Sequence, residues 1–220
     1  ASTRSDVLRW AYEKPGRYVV EDDYDSEFRY AGRLTLPLFA EDGHDRVIYL
    51  NTFSKTMVPS LRIGYMVLPP ELMDAYRDQQ GFYSCTVSSF EQFALAEFID
   101  SGAFERHMNR MRNFYRKKRK ALLKALRESP LARRSTIEEY AAGTHFLLRV
   151  RTDLKRTDIT QKGERLGLRI SFFTDYSICD IDMPGQVTLV VNYAAIDPGS
   201  VGSSCQRFTA VSFKYNGSQA

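Results

Sequence analysis

Two apolar runs, Val47-Ile48-Tyr49-Leu50 and Ile63-Gly64-Tyr65-Met66-Val67-Leu68, stand a short loop apart, and that loop limits what the chain can be. Both runs are brief and rich in β-branched and aromatic residues. Pro69-Pro70 closes the second, so both read as buried strands. The connection, Thr52-Phe53-Ser54-Lys55-Thr56-Met57-Val58-Pro59-Ser60-Leu61-Arg62, places hydroxyls, one lysine and one arginine in a turn too short to hold a helix. A lysine at a strand end beside hydroxyls and a guanidinium suits a phosphorylated aldehyde. The hydroxyls and the guanidinium would hold the phosphate, and the amine would close on the aldehyde as a Schiff base. A lone S-K-T tripeptide is usually just a solvated loop, so the weight falls on a second stretch upstream.

There, the β-rich run Tyr18-Val19-Val20 leads into Glu21-Asp22-Asp23-Tyr24-Asp25. Four acids in five residues repel one another unless something positive lies close by. The bland reading is an acidic, solvated turn. Its position after a strand, however, is where open α/β sheets bind ligands. A carboxylate fixed there could pair with a protonated ring nitrogen, and a phenol two residues on would project to the same side. Sequence physics does not choose between Asp22 and Asp23.

Composition excludes several classes. With 220 residues, 43% hydrophobic and 26% charged, the chain fits one large globular domain or two modest lobes. The net charge of +4 is local, most of it lying between His107 and Lys124. Cys85, Cys179 and Cys205 form no CxxC and have no histidine at ligand spacing, which points to reduced thiols and away from a metal site. No apolar run approaches membrane-spanning length and the first residues lack a signal peptide's apolar segment, so a cytoplasmic location is expected. There is no GxGxxG or GxxxxGK phosphate fingerprint.

In chain order, Ser5–Glu13 reads as a helix with Val7, Leu8, Trp10 and Ala11 near one face. Glu71–Gln79 reads as another, followed by a loop, Gly81–Cys85, with exposed aromatics. Ser88 or Ser89 would cap a helix through Ile99 with Phe90, Phe93, Ala94, Leu95 and Phe98 inward. A long helix is expected over Phe104–Leu126. Its stripe is Met108, Met111, Phe114, Tyr115, Leu122, Leu123 and Leu126, and Arg116-Lys117-Lys118-Arg119-Lys120 continue a solvated outer face. Beyond Ser129 the expected elements are strands at His145–Val150, Leu168–Phe173 and Gln186–Ala195, a helix over Asp158–Arg165 and a closing helix at Cys205–Val211. His44 reads as a solvated turn residue. The chain opens on a helix with no strand before it, so an upstream half is expected outside this sequence.

Three stretches together carry a family likeness: Val20-Glu21-Asp22-Asp23-Tyr24-Asp25-Ser26-Glu27-Phe28-Arg29-Tyr30, Tyr49-Leu50-Asn51-Thr52-Phe53-Ser54-Lys55, and Arg62-Ile63-Gly64-Tyr65. They resemble the fold-type-I pyridoxal-phosphate proteins, specifically the aminotransferase-like half of the MocR subgroup of GntR-type transcription regulators. The acidic string is the more specific part. The likeness runs along nearly the whole chain, including Phe104-Glu105-Arg106-His107. The resemblance implies an α/β fold in which residues 1–103 are the remaining part of the large, cofactor-binding lobe. Residues 104–220 would be the bridging helix and a small α+β C-terminal lobe.

It also implies roles. Lys55 would form the Schiff base with pyridoxal 5'-phosphate, Asp22 (favoured by the family spacing) would hold the pyridinium nitrogen, and Tyr24 would bond the ring's phenolic oxygen. Thr52, Ser54 and Arg62 would bind the phosphate. In this family a DNA-binding winged helix and further cofactor contacts precede these motifs; neither is in this sequence, so cofactor is expected to be held weakly or only through Lys55. No arginine matches the family's substrate-carboxylate ligand. Asn192-Tyr193 stands in that strand, and Arg169 and Arg149 are candidates. Two functions remain open: the effector-binding and dimerisation part of a regulator that senses the cofactor or a reacting amine or amino acid, and an aminotransferase of a small amino acid. A homodimer is expected from the resemblance, with DNA reached only through the winged helix. A structural remnant without cofactor is the bland alternative.

Overall fold

The computed structural model describes residues 2–24, 27–28, 36–138, 143–178 and 184–211. Asp25, Ser26, Arg29 and Tyr30 of the acidic string, most of the stretch from Phe28 to Phe39, and Cys179 lie outside them. The chain forms two compact units, Ala1–Asn109 and Arg110–Ala220.

The first unit is built on a sheet of three strands in the order β1 (Val19–Asp22), β2 (Val47–Thr52) and β3 (Gly64–Val67). β1 runs parallel to β2, with Val19 opposite Val47 and Asp22 opposite Leu50; β3 returns antiparallel, with Leu50 opposite Met66 and Thr52 opposite Gly64. Helix α1 (Ser2–Tyr12) buries Leu8 against Leu38 and Val47, with Val7, Tyr12 and Val19 packed round them. Trp10, expected inward, is exposed beneath the Arg17 guanidinium. At 100° per residue it lies about 200° round the helix from Leu8, off the covered side. The short helix α2 (Leu38–Glu41) has no cap from Pro37. Glu21, inside β1, serves instead: its carboxylate accepts from the Leu38 and Phe39 N–H groups at 2.7 and 2.9 Å. The acidic stretch thus does structural work at its first residue.

Helix α3 (Pro70–Gln80) follows the Pro69-Pro70 stop, and Phe82 and Tyr83 after it are exposed as expected. Ser88 caps α4 (Ser89–Asp100), accepting from the Glu91 N–H while its hydroxyl donates back to the Glu91 carboxylate. The expected inward face of α4 is covered only in part. Phe90 and Phe93 are 81% and 76% exposed, whereas Glu91, Leu95 and Phe98 are half-buried.

Helix α5 (Ala103–Glu128) runs from the first unit into the second. In the second unit, β4 (Ser135–Glu138), β5 (His145–Arg151) and β6 (Gln186–Asn192) form an antiparallel sheet with β5 central. Phe146, Leu148 and Val150 of β5 are fully buried, as are Ile159 of helix α6 (Arg156–Arg165) and Leu189 of β6. β4 escaped the sequence reading because it is four residues long with only Thr136 and Ile137 as β-formers. Three other expectations are corrected here. Leu168–Phe173 is not a strand but makes a single bridge, Phe172 with Leu189. Gly167, with φ 69°, closes α6 by passing the Leu168 N–H back to the Gly163 carbonyl, and the Phe172 N–H goes to Asp175, so these donors are spent locally. Phe114 is exposed rather than inward. Lys118 is not on the solvated face: it is 6% exposed, and its amine donates to the Ala194 carbonyl at 2.8 Å. Burial pushes that amine's pKa down, against the pull of Asp197. The closing helix α7 spans Val201–Ala210, with Cys205 buried.

Asp42 offers a direct stability test. Its carboxylate accepts from the Tyr12 hydroxyl and from the N–H groups of His44, Arg46 and Val47, tying α1 to the start of β2. Burial opposes its charge most strongly, but the combined donors prevail and hold its pKa below the ordinary value. A depressed folded-state pKa contributes stability that is present above the unfolded value and lost as pH falls through the folded one. Asp42→Asn should therefore destabilise by about 1–3 kcal/mol at pH 7, a gap that narrows below about pH 4. Urea titrations at both pH values check this; an equal gap at pH 3 and pH 7 contradicts it.

Candidate functional site

The neck of the loop after β2 is tied to one carbonyl. Ile63 C=O accepts from the Phe53 N–H at 2.9 Å and from the Thr52 hydroxyl at 3.0 Å. The Thr52 hydroxyl in turn accepts from the Ser54 N–H at 3.1 Å. Opposite Thr52, Gly64 leaves room that a side chain would close, since a Cβ there would lie 3.2 Å from the Asn51 carbonyl oxygen. Inside the loop the Met57 N–H returns to the Phe53 carbonyl, and Thr56 is buried. His107, in the first turns of α5, meets the Thr56 carbonyl at 2.9 Å through Nε2; a carbonyl only accepts, so that nitrogen carries the proton. A single 3-10 turn, Pro59–Leu61, then delivers Arg62 in the left-handed region at φ 50°, ψ 28°.

The sheet divides its polar groups between two faces. On one, Asp23 accepts from the Tyr49 hydroxyl at 3.0 Å, and the buried Asn51 amide donates to Tyr49 and to Glu27 at 2.9 and 3.1 Å. Burial, and then the Asp23 carboxylate, raises the Tyr49 pKa; burial, and then Glu27, does the same at Tyr65. Both phenols are held neutral. Rings continue the layer, Phe39 to Tyr49, Tyr49 to Tyr65, Tyr65 to Phe53 and Phe53 to Phe104, at centroid distances of 5.6–6.2 Å. On the other face Asp22, Leu50 and Met66 are in register across the three strands. A shallow depression of about 530 Å³ lies there, lined by Leu50, Met66, Leu68, Met73 and Tyr76 among others.

The six residues expected at the site are placed as follows. Asp22 ends β1, exposed; Tyr24 follows, with the Lys55 amine 5.9 Å from its ring centre; Ser54, Lys55 and Arg62 lie in the loop. Among the described residues, the Asp22 carboxylate, the Ser54 hydroxyl and the Arg62 guanidinium have no hydrogen bond or ion pair, and Lys55 has only the Tyr24 ring. Thr52 differs, its hydroxyl being spent at the loop neck. Asp23 is engaged by Tyr49 and Asp22 is not. Sequence reasoning gave no role to His107, Tyr49 or Asn51. The Phe104-Glu105-Arg106-His107 string was the available signal for the first; nothing in the sequence marks the pairing of the other two. In the second unit a separate cleft of about 460 Å³ is lined by Arg169, Asn192, Cys205 and Arg207 among others, while Arg149 is paired with Glu138 at 2.8 Å. Tyr193 is buried, its hydroxyl donating to the Gly143 carbonyl. No helix among the described residues is long and apolar enough to cross a membrane.

The family Aminotransferase class I and II matches residues 6–163. The chain is 46% identical over 147 residues to the HTH-type transcriptional regulator YhdI of Bacillus subtilis, covering 67% of this chain and 31% of that one. It is 37% identical over 189 residues to the probable rhizopine catabolism regulatory protein MocR of Rhizobium meliloti, covering 84% and 37%. It thus spans about a third of these relatives' length. Among solved structures, the kynurenine aminotransferase of Pyrococcus horikoshii superposes with a TM-score of 0.78 at 26% identity, over 96% of this chain and 51% of that one. The fold is that of the fold-type-I aminotransferases, in part.

The left-handed Arg62 generates a prediction that needs no ligand. A Cβ in that region is strained by about 1 kcal/mol, which glycine avoids. Arg62→Gly should raise the melting temperature by about 2–4 °C. A lower one would mean that the guanidinium makes a stabilising contact within the protein.

Proposed function

The chain belongs to the aminotransferase class I and II family, and we propose that it serves as the effector-binding and dimerisation part of a cytoplasmic transcription regulator that holds pyridoxal phosphate covalently through Lys55. The observation that carries this reading is the set of unengaged groups at two strand ends. Among the described residues, a carboxylate, a hydroxyl and a guanidinium without hydrogen bonds or ion pairs, and an amine that meets only the Tyr24 ring, suit a ligand with a basic ring nitrogen, an aldehyde and a phosphate. In this reading Asp22 keeps the ring nitrogen protonated, Tyr24 meets the ring oxygen, and Ser54 and Arg62 take the phosphate. Thr52 contributes by fixing the loop, and its hydroxyl has no proton to spare for a phosphate oxygen. When bound, the cofactor supplies an electron sink for an attached amino group.

The fit of donors is partial, which supports weak binding: one hydroxyl and one exposed guanidinium are a small phosphate cradle. The two regulators YhdI and MocR each match two thirds or more of this chain, at 46% and 37% identity. That favours sensing an amine or amino acid over turnover, in a homodimer whose DNA is bound through a separate winged-helix domain. The second reading, an aminotransferase of a small amino acid, draws on the superposition with kynurenine aminotransferase.

Titration with pyridoxal phosphate followed by visible absorption tests the proposal. A saturable long-wavelength band is expected, absent in Lys55→Ala and displaced or lost in Asp22→Asn. Arg62→Ala should weaken the affinity by about 2 kcal/mol, as for a lost charge-assisted bond. A band that survives Lys55→Ala unchanged refutes the assignment, an unaltered Asp22→Asn spectrum points to Asp23, and keto-acid release from an amino donor selects the enzyme.

A further inference from the structure

The two units carry opposite charge. Residues 1–109 hold 11 Lys and Arg against 17 Asp and Glu, a net of −6; residues 110–220 hold 20 against 10, a net of +10. The basic excess is concentrated on α5. Arg110, Lys117, Lys120, Lys124 and Arg127 occupy five positions of a stripe spaced three and four residues apart, with Asn113 as its sixth member, and all are exposed. Arg116 flanks them. No carboxylate occurs from Arg110 to Arg127, and Lys124 reaches the first one, Glu128, at 3.8 Å.

A solvated helix face ordinarily alternates its charges, because like charges three or four residues apart destabilise a helix. Here 116 and 120, 117 and 120, 120 and 124, and 124 and 127 are all like pairs. Glu128 offsets Lys124, but no carboxylate of the helix lies three or four residues from Lys117 or Lys120. Neighbouring Lys118 does not join the stripe, since its amine is buried on the Ala194 carbonyl.

We propose that this stripe is a second nucleic-acid contact, which lies along the phosphate backbone of duplex DNA beside the site read by the winged helix. The proposal rests on reading the chain as part of a DNA-binding regulator. The stripe is about 26 Å long at 1.5 Å per residue and about one side chain wide, a shape that suits a line of phosphates. A membrane-surface helix would need a free apolar side next to its cations. The apolar side of α5 here is buried within the second unit at Leu122, Leu123 and Leu126, and Phe114 is its one large exposed hydrophobic residue among those described. The contact is sequence-independent, because phosphate carries no base information.

Fluorescence anisotropy of the full chain with a ~30-bp duplex of arbitrary sequence, in salt from about 50 to 200 mM, tests it. Binding should weaken with salt along a log–log slope of about −4, the value for four to five neutralised phosphates. Lys117→Gln, Lys120→Gln and Lys124→Gln together should weaken binding at least about tenfold at the lowest salt and bring the slope to about −2. Their melting temperature and their absorption response to pyridoxal phosphate should match the parent's. Absence of duplex binding at the lowest salt, or equal binding by the triple variant, overturns the proposal. So does tighter binding to phosphatidylserine vesicles or to polyglutamate than to the duplex. Duplex binding in a chain that shows no cofactor band would sink the Lys55 reading and leave this one standing.

Discussion

One carbonyl oxygen, that of Ile63, holds the candidate site in shape. It takes both the Phe53 N–H and the Thr52 hydroxyl, so the last residue of β2 and the first of the loop are fixed to the strand that follows. Each such bond contributes only about 1 kcal/mol net. Their value lies in geometry, because Ser54 and Lys55 follow immediately and inherit the direction of a chain that cannot pivot. His107 anchors the far side at Thr56, and Gly64 permits the close passage of β2 that lets the tie form. Arg62, left-handed, completes the return.

This scaffold explains why neighbouring acids in one run have different fates. Glu21 caps α2, Asp23 is bound by Tyr49, and Asp22 is left facing outward on the side of Leu50 and Met66. Alternation along a strand does the sorting. A network of neutral phenols, an amide and two carboxylates lies on one face of the sheet, and Asp22 on the other. The phenols' raised pKa values keep both hydroxyls protonated.

Much of this was legible in the sequence, for identifiable reasons. The strands flanking Lys55, the Pro-Pro stop before α3, the Ser88 cap and the long helix all carry local signals, and local signals fixed them. What was not legible depended on partners far along the chain. The outward stance of Phe90, Phe93 and Trp10 follows from which side of each helix meets the rest of its unit, and periodicity does not state that. Lys118 looks like one more cation in a basic run until the Ala194 carbonyl, 76 residues on, is seen to accept its amine. The failed strand at Leu168–Phe173 has the right composition, but the Gly163 carbonyl and the Asp175 carboxylate take up its donors first. At the site, the lysine and its acidic companions announce themselves by type. That the Thr52 hydroxyl is already committed, and that Asp23 is too, required the fold.

The account turns on Lys55 being the one amine placed to capture an aldehyde, among lysines of which most are exposed and Lys118 is buried with a depressed pKa. Borohydride reduction of the protein equilibrated with a modest excess of pyridoxal phosphate, followed by peptide mapping, reads this directly. The account predicts that the pyridoxyl group is recovered on the peptide containing Lys55. Recovery on Lys118, or spread evenly over the surface lysines of α5, would contradict it.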